Sequence, residues 1–377
     1  MIPYGRQWLD DEDIQAVAEV MRSDFITTGP KADKFEQEVA EYTGANYAVA
    51  VSNGTAALHL ACLAAGIQPG DEVITTAMTF AASANCVLYC GGRPVFADID
   101  PITYNIDPKD LRRKITSRTK AVIPVHFTGQ PCRMDEIHQL AEEYGLTVIE
   151  DGAHALGAAY KGKKIGGLSQ MTTFSFHPVK PITTGEGGMV VTNDERLYRR
   201  LKLLRSHGIT REEDLMEKNE GGWYYEQLEL GYNYRMTDIQ AALGSSQLKK
   251  LDRFIAKRRE IADTYSRAFA AEPDMILPSV IPEAESGWHL YVIQAAKRDR
   301  KEVYDALRKA GLNINVHYIP VYHHPYYRNH GYADVFCPNA EQLYQRMVSL
   351  PIFPALKEEE QEYVIDVVKK AVRGTEG

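Results

Sequence analysis

Apolar residues recur at helical spacing at the start of the chain, where Ile14, Val17, Val20 and Met21 predict a helix over residues 10–21. Thr27-Thr28-Gly29-Pro30 breaks it, and a second helix is expected over 31–42, ending near Gly44. From Tyr47 the pattern changes to short apolar, β-branched runs alternating with helical ones. Strands are expected at 47–51, 73–76, 94–97, 121–125, 146–149, 172–176 and 189–192. The intervening helices fall at 56–65, 81–89, 108–115, 134–144 and 194–207. Such alternation predicts right-handed crossovers and an α/β fold with a mostly parallel central sheet flanked by helices. The charged, glycine-containing segment 208–229 reads as an exposed loop, and one or two long helices cover 237–265. Beyond them come strands at 288–295 and 312–316 and helices at 301–310, 340–346 and 358–372, a smaller α+β domain. The expected division is an N-terminal arm and large domain over 1–250, and a small C-terminal domain over 251–377.

Composition narrows the function. A chain of 377 residues, 44% hydrophobic and 25% charged, is expected to be globular with about two domains. Its net charge of −8 argues against a nucleic-acid surface. Five cysteines with no CxxC pair point to a reducing cytoplasm rather than a disulfide scaffold or zinc ribbon. Met1 to Asp10 carries no long apolar stretch, so no signal peptide is expected, and no run approaches the ~20 apolar residues of a membrane helix.

In a parallel sheet, ligands sit beyond the carboxyl ends of the strands. Ser52-Asn53-Gly54-Thr55 follows the first strand and opens a helix. It reads either as a phosphate cradle of free N–H groups or as an ordinary helix cap. Asp151 follows an apolar strand and can hold a heterocyclic nitrogen protonated, cap a helix, or bind a metal with His154 nearby. Ser175 is a phosphate donor or a local strand hydroxyl. Lys180 stands between Pro178 and Pro181, which biases it towards extended backbone, and the loop closes on Gly185, Gly187 and Gly188. It is a Schiff-base nucleophile or a surface lysine of a Gly/Pro loop. No G-x-G-x-x-G follows an early strand and no Walker lysine is present, which disfavours dinucleotide and NTP enzymes. Phosphate cradle, strand-end acid and loop lysine in that order fit pyridoxal phosphate.

In these residues the chain resembles the DegT/StrS-type sugar aminotransferases, fold-type I, aspartate-aminotransferase-like pyridoxal phosphate enzymes that aminate nucleotide-linked keto sugars. The likeness runs through Thr27-Thr28-Gly29-Pro30, residues 52–58, Thr79-Phe80, residues 150–155, 174–188 and 231–237, and His317-Tyr318-Ile319-Pro320. It implies that Lys180 carries the cofactor, that Asp151 pairs with the pyridine nitrogen, and that Gly54, Thr55 and Ser175 hold the phosphate. It further implies that Phe80 stacks on the ring and that His154 stands close to the ring oxygen. Asn233 matches a phosphate ligand given by a neighbouring subunit, implying a homodimer with sites at the subunit interface. Thr28, His177, Tyr318 and Arg328 are expected to contact substrate. Gly152 departs from the alanine common in the family, a change that keeps a small residue.

Within the family, residues 175–188 are similar to the 4-aminotransferases of pseudaminic acid biosynthesis, with His177-Pro178 separating them from other branches. This implies L-glutamate as donor and a UDP-linked 2-acetamido-2,6-dideoxy-4-keto hexose as acceptor, in ping-pong order. Family dehydratases replace the lysine with histidine, so Lys180 argues against that chemistry. The remaining alternatives are an aminotransferase for another UDP- or dTDP-keto sugar and a non-catalytic regulator of the same fold. The His- and Tyr-rich run 317–328 is poor metal geometry, since His323 and His324 are adjacent; no metal is expected. The run reads instead either as a loop lining the nucleotide-sugar site, with Tyr318 or Arg328 meeting the diphosphate, or, for most of its aromatic residues, as plain packing.

Overall fold

The structure, a computed structural model, describes residues 1–374. A two-residue strand, β1 (Ile2–Pro3), and two helices, α1 (Asp11–Met21) and α2 (Pro30–Thr43), lead into the sheet. Its strands are β2 (Tyr47–Val51), β3 (Glu72–Thr76), β4 (Arg93–Ala97), β5 (Thr119–Ile123) and β6 (Thr147–Asp151). After a small hairpin, β7 (Ala159–Tyr160) and β8 (Lys163–Lys164), come β9 (Met171–Ser175) and β10 (Gly188–Thr192). The sheet order is β2-β10-β9-β6-β5-β3-β4. Only β10 runs against its neighbours. The connection from β9 to β10 therefore stays on the edge where the other six strands end, and it carries Lys180 there. The expected parallel sheet thus holds one reversed strand, at the point where the chain folds back over the lysine loop.

Period-two alternation explains the two faces. Ala48 and Ala50 point into one core with Ile74, Val122, Val148 and Phe174, while Val49 and Val51 point into the other with Val73, Ile123 and Ile149. The second face is covered by α3 (Gly54–Ala64), α4 (Ala82–Tyr89) and α7 (Glu195–Arg205). Residues 56–62 of α3 are all buried, as expected of a helix that is apolar on every side. The first face is covered by α2, α5 (Pro108–Lys114), α6 (Met134–Tyr144) and α8 (Asp238–Leu248). The N-cap of α2 is Gly29, which has no side chain to cap with; Asp238 of α8 accepts from the N–H groups of Gly29, Lys31 and Ala32 instead.

Segment 208–229 is largely exposed, closed at its base by β11 (Ile209–Thr210) and β12 (Glu226–Gln227). The long helical stretch divides into α8 and α9 (Leu251–Phe269). Leu251, Phe254 and Ile255 of α9 belong to the large core, whereas Ile261, Tyr265 and Phe269 belong to a second one, so we place the seam between the two bodies within α9. The second body contains β13 (Met275–Ile276), β15 (Tyr291–Ala295) and β16 (Leu312–Asn313), whereas β14 (Ala284–Glu285) pairs with β7 and buries Ala284 in the large core. It continues through α10 (Arg300–Lys309), the one-turn α11 (Pro325–Tyr327), α12 (Pro338–Arg346), β17 (Met347–Leu350) and α13 (Glu358–Arg373). Strand β17 follows α12 without a turn residue between them, so its sequence reads as more helix; pairing with β15 decides its conformation. The expected strand at 312–316 shrinks to β16, which pairs in parallel with β1. Among the described residues, no helix is long and apolar enough to cross a membrane.

Candidate active site

A cavity of about 860 Å³ lies at the carboxyl edge of the sheet, between that edge and the second body. At one wall, α3 begins. Asn53 Oδ1 caps it by accepting from the Ala56 N–H at 2.8 Å, leaving the first-turn N–H groups of Gly54 and Thr55 directed at the cavity end. The cap reading is observed at Asn53, and the same turn puts Gly54 and Thr55 on the cavity lining. A Cβ on Gly54 would come within 2.9 Å of Ser175 Cβ, so glycine is what lets the helix start approach the end of β9. Gly54, Thr55 and Ser175 share the lining.

Asp151 ends β6 and is buried. Its Oδ2 accepts from Ser83 Oγ at 2.7 Å and its Oδ1 from the Ala153 N–H at 3.1 Å. Thr79 Oγ1 is 2.7 Å from Ser83 Oγ, extending the chain of hydroxyls one turn along. The backbone is held as well: the Asp151 N–H donates to Pro124 O, and the His126 N–H to Asp151 O. The neighbouring Glu150 points to the opposite side, where Oε2 lies 2.7 Å from His126 Nε2. The Cys132 N–H donates to His126 Nδ1, so Nε2 carries the proton that Glu150 accepts. At Gly152 a Cβ would meet Phe174 Cε1 at 2.8 Å, so glycine permits this close approach of the strand end to the Phe174 ring.

Lys180 is half-buried in the cavity and makes no side-chain hydrogen bond among the described residues. Burial pulls its ammonium down from 10.5 to about 8, with the Asp151 charge opposing the fall. The opposite wall comes from distant parts of the chain: Tyr4, His289, Asn315, His317 and Tyr318. His154 Nε2 and the Tyr318 hydroxyl share a 3.1 Å hydrogen bond, and the His154 and His289 rings lie 4.4 Å apart. Burial first, then nearby positive charge, holds the imidazoles of His154 and His289 well below their ordinary value. Burial and Lys180 bring His317 down to about 3. These histidines are thus neutral near neutral pH and do not compete with Lys180 as cations.

Of the residues expected at the site, Gly54, Thr55, Phe80, Asp151, His154, Ser175, His177, Lys180 and Tyr318 all line this cavity. Phe80, 62% exposed, stands at its mouth. Thr28, Asn233 and Arg328 are exposed and lie outside its lining. In the run 317–328, His323 Nε2 and the Tyr322 hydroxyl are both bonded to Glu341, at 2.6 and 2.7 Å. Among the described residues, no group of three or more His, Cys, Asp or Glu side chains is arranged to hold a metal ion. Sequence reading missed Ser83, Tyr4 and His289. Ser83 sits four residues after Thr79 in a segment already singled out, a detectable helical spacing; nothing local marks Tyr4 or His289.

These residues fit pyridoxal phosphate. A helix start stripped of side-chain bulk faces a serine, a carboxylate is fixed by two donors, and an unpaired lysine has a lowered ammonium pKa. In addition, the Nδ1 atoms of His154 and His289 are buried without a protein partner. The family described as DegT/DnrJ/EryC1/StrS aminotransferase matches residues 7–369. The spore coat polysaccharide biosynthesis protein SpsC of Bacillus subtilis is 44% identical over 381 residues, covering 100% of this chain and 98% of the relative. PseC of Helicobacter pylori, described as an aminotransferase involved in the biosynthesis of pseudoaminic acid, is 34% identical with a TM-score of 0.93, over 99% of each chain. The putative sugar aminotransferase Spr1654 of Streptococcus pneumoniae, in its PLP form, is 31% identical with a TM-score of 0.91 over the full length of both chains, and its PMP form is similar as well.

Proposed function

The chain belongs to the DegT/DnrJ/EryC1/StrS aminotransferase family and uses pyridoxal phosphate, and from that premise we propose that it moves an amino group from L-glutamate to the 4-keto carbon of a nucleotide-linked 6-deoxy keto sugar. The acceptor assigned is UDP-2-acetamido-2,6-dideoxy-β-L-arabino-hex-4-ulose, on the route to pseudaminic acid. The observation that carries this reading is the lysine loop, Ser175 to Gly188, with its His177-Pro178 pair at the cavity. The likeness to PseC supports it. A second reading is favoured by the likeness to SpsC: amination of another UDP- or dTDP-linked keto sugar destined for a surface polysaccharide.

Bound, the cofactor supplies an aldehyde for a lysine amine and a ring that draws electrons from a carbon losing its proton. The N–H groups of Gly54 and Thr55 with Ser175 Oγ would hold its phosphate, Asp151 its ring nitrogen, His154 its ring oxygen and Phe80 its face. The chain's own part is proton handling and positioning. With its pKa near 8, Lys180 holds a sizeable neutral fraction near neutral pH, so Nζ is suited to take a proton from the donor's α carbon and to return it. Ser83 and the Ala153 N–H fix the Asp151 carboxylate in one orientation. The neutral wall of His154, His289 and His317 screens Lys180 from water without adding charge. Transfer in two halves implies ping-pong kinetics. The acting unit assigned is a homodimer in which the exposed Asn233 completes the phosphate site of a second copy. Five free cysteines fit a cytoplasmic setting.

The test is a panel of UDP- and dTDP-linked 4-keto sugars with glutamate, read by product mass. Amination of the UDP-2-acetamido substrate at the highest kcat/KM is expected. Preference for a different sugar would move the assignment to the second reading, and no amination across the panel would overturn both.

A further inference from the structure

Glu150 and His126 are both fully buried, behind the strand end that carries Asp151. Burial opposes a charge on Glu150, yet the hydrogen bond from His126 leads the interactions that outweigh it, and the carboxyl stays below its ordinary value. Thr172 Oγ1 gives the carboxylate a second bond at 3.1 Å. Apolar side chains of similar volume would fill this space at lower cost, because a carboxylate taken out of water is offset only by well-made bonds. The pair is therefore to be explained by what it holds in place.

His126 reaches both of the last two residues of β6. Its ring bonds Glu150 at 2.7 Å, and its main-chain N–H bonds the Asp151 carbonyl at 3.1 Å. The turn that follows holds Thr128 at a φ of +61°, in the left-handed region. A residue with a branched side chain stays there only where its surroundings over-determine it. Here they do. His126 Nδ1 accepts from the Cys132 N–H at 3.0 Å, and Asn105 Oδ1 accepts from the Phe127 N–H at 2.9 Å. Asn105 Nδ2 donates to the carbonyls of Gln130 and Pro131. One imidazole thus closes the base of the turn with Nδ1 and ties the turn to β6 with Nε2. We propose that His126 is a positioning residue for Asp151: gripping Glu150 by its ring and Asp151 by its main chain, it sets the direction in which the Asp151 carboxylate enters the cavity. Neither His126 nor Glu150 lines the cavity, so the effect runs through Asp151. The inference rests on the reading that Asp151 meets the ring nitrogen of the cofactor.

Three variants, each loaded with pyridoxal phosphate, separate positioning from stability. His126→Gln keeps a donor that reaches Glu150, whereas His126→Asn keeps only the acceptor for the Cys132 N–H. His126→Phe combined with Glu150→Leu replaces the pair by apolar bulk and should fold with an undiminished melting temperature. The readouts are the dissociation constant of pyridoxal phosphate, the rate of pyridoxamine phosphate formation from glutamate, and the pH midpoint of the visible absorbance. In the Asn variant and the double variant, the dissociation constant should rise and the rate fall roughly tenfold, the scale of one hydrogen bond to a charged group. The midpoint should rise as well. A less firmly partnered ring nitrogen holds its proton less well, and loss of that positive charge makes Lys180 Nζ, joined to the cofactor, more basic. The Gln variant should recover all three readouts. A lowered melting temperature with all three readouts as in the wild type would overturn the proposal. So would wild-type readouts in the double variant, or equal losses in the Gln and Asn variants. Asp151→Asn tests the reading beneath. If it shifts the midpoint and the His126 variants do not, only the positioning role fails. If Asp151→Asn leaves the midpoint unmoved, the ring-nitrogen assignment fails and the positioning role falls with it. None of the readouts uses the acceptor sugar, so the outcome is the same whichever sugar is aminated.

Discussion

The two walls of the active-site cavity are built in opposite ways. The sheet-edge wall is local: Gly54 and Thr55, Asp151, and Ser175 to Lys180 each follow the strand that positions them. Its acid is fixed by Ser83 and the Ala153 N–H. The facing wall is assembled from Tyr4 near one end of the chain and His289, Asn315, His317 and Tyr318 towards the other. There, His289 Nδ1 is buried with no protein partner among the described residues. The Tyr4 N–H donates to Asn313 O and its carbonyl accepts from the Ile352 N–H, and its ring lies 4.9 Å from that of His317. The sheet-edge wall carries the groups proposed to hold the cofactor, which both half-reactions need, whereas the facing wall carries none of them.

Changes in the first wall should act on both half-reactions, and changes in the second on the sugar half alone. The largest effect is expected from Lys180→Ala, which should lower turnover by at least ~10⁴-fold, the upper range for loss of a proton-transfer group. Near-normal turnover in that variant would remove Lys180 from the chemistry. Asp151→Asn should keep the fold by circular dichroism yet lose roughly 10²–10³-fold in both halves. Ser83→Ala, removing one bond to the carboxylate, should cost about tenfold in both. On the other wall, Tyr4→Phe should raise the KM for nucleotide sugar about fivefold, the scale of one hydrogen bond. The rate of pyridoxamine phosphate formation from glutamate should be unchanged in that variant; equal losses in both halves would erase the distinction between the walls. The smallest effect is on pH. Apoenzyme should take up pyridoxal phosphate faster as pH rises through about 8, where Lys180 loses its proton, rather than near 10.5. Asp151 raises that midpoint, so Asp151→Asn should move it lower.

The same contrast decides what the sequence discloses. All seven strands of the sheet announce themselves by short apolar, β-branched runs and their helices by periodicity, so the residues after each strand end could be inspected directly. Lys180 was legible because prolines and glycines frame it, and Asp151 because an apolar strand precedes it. The reversal of β10 was not legible, since a run such as Gly188–Thr192 looks alike in either direction. Nor was the capping of α2 by Asp238, because the carboxylate lies some two hundred residues away from the N–H groups it satisfies. Tyr4 and His289 belong to the same class: their roles arise from β1 pairing with β16 and from the second body closing over the sheet edge, both long-range events. Thr28 and Arg328 show the reverse, with motif positions read as substrate contacts that stand outside the cavity of their own chain.

The most direct test of the sheet-edge wall is to reduce the pyridoxal phosphate holoenzyme with borohydride, digest it and locate the pyridoxyl group by peptide mass. The expected result is a single modified residue, Lys180, with the visible absorbance lost on reduction and absent from Lys180→Ala. Modification of any other lysine, or of none, would contradict the assignment.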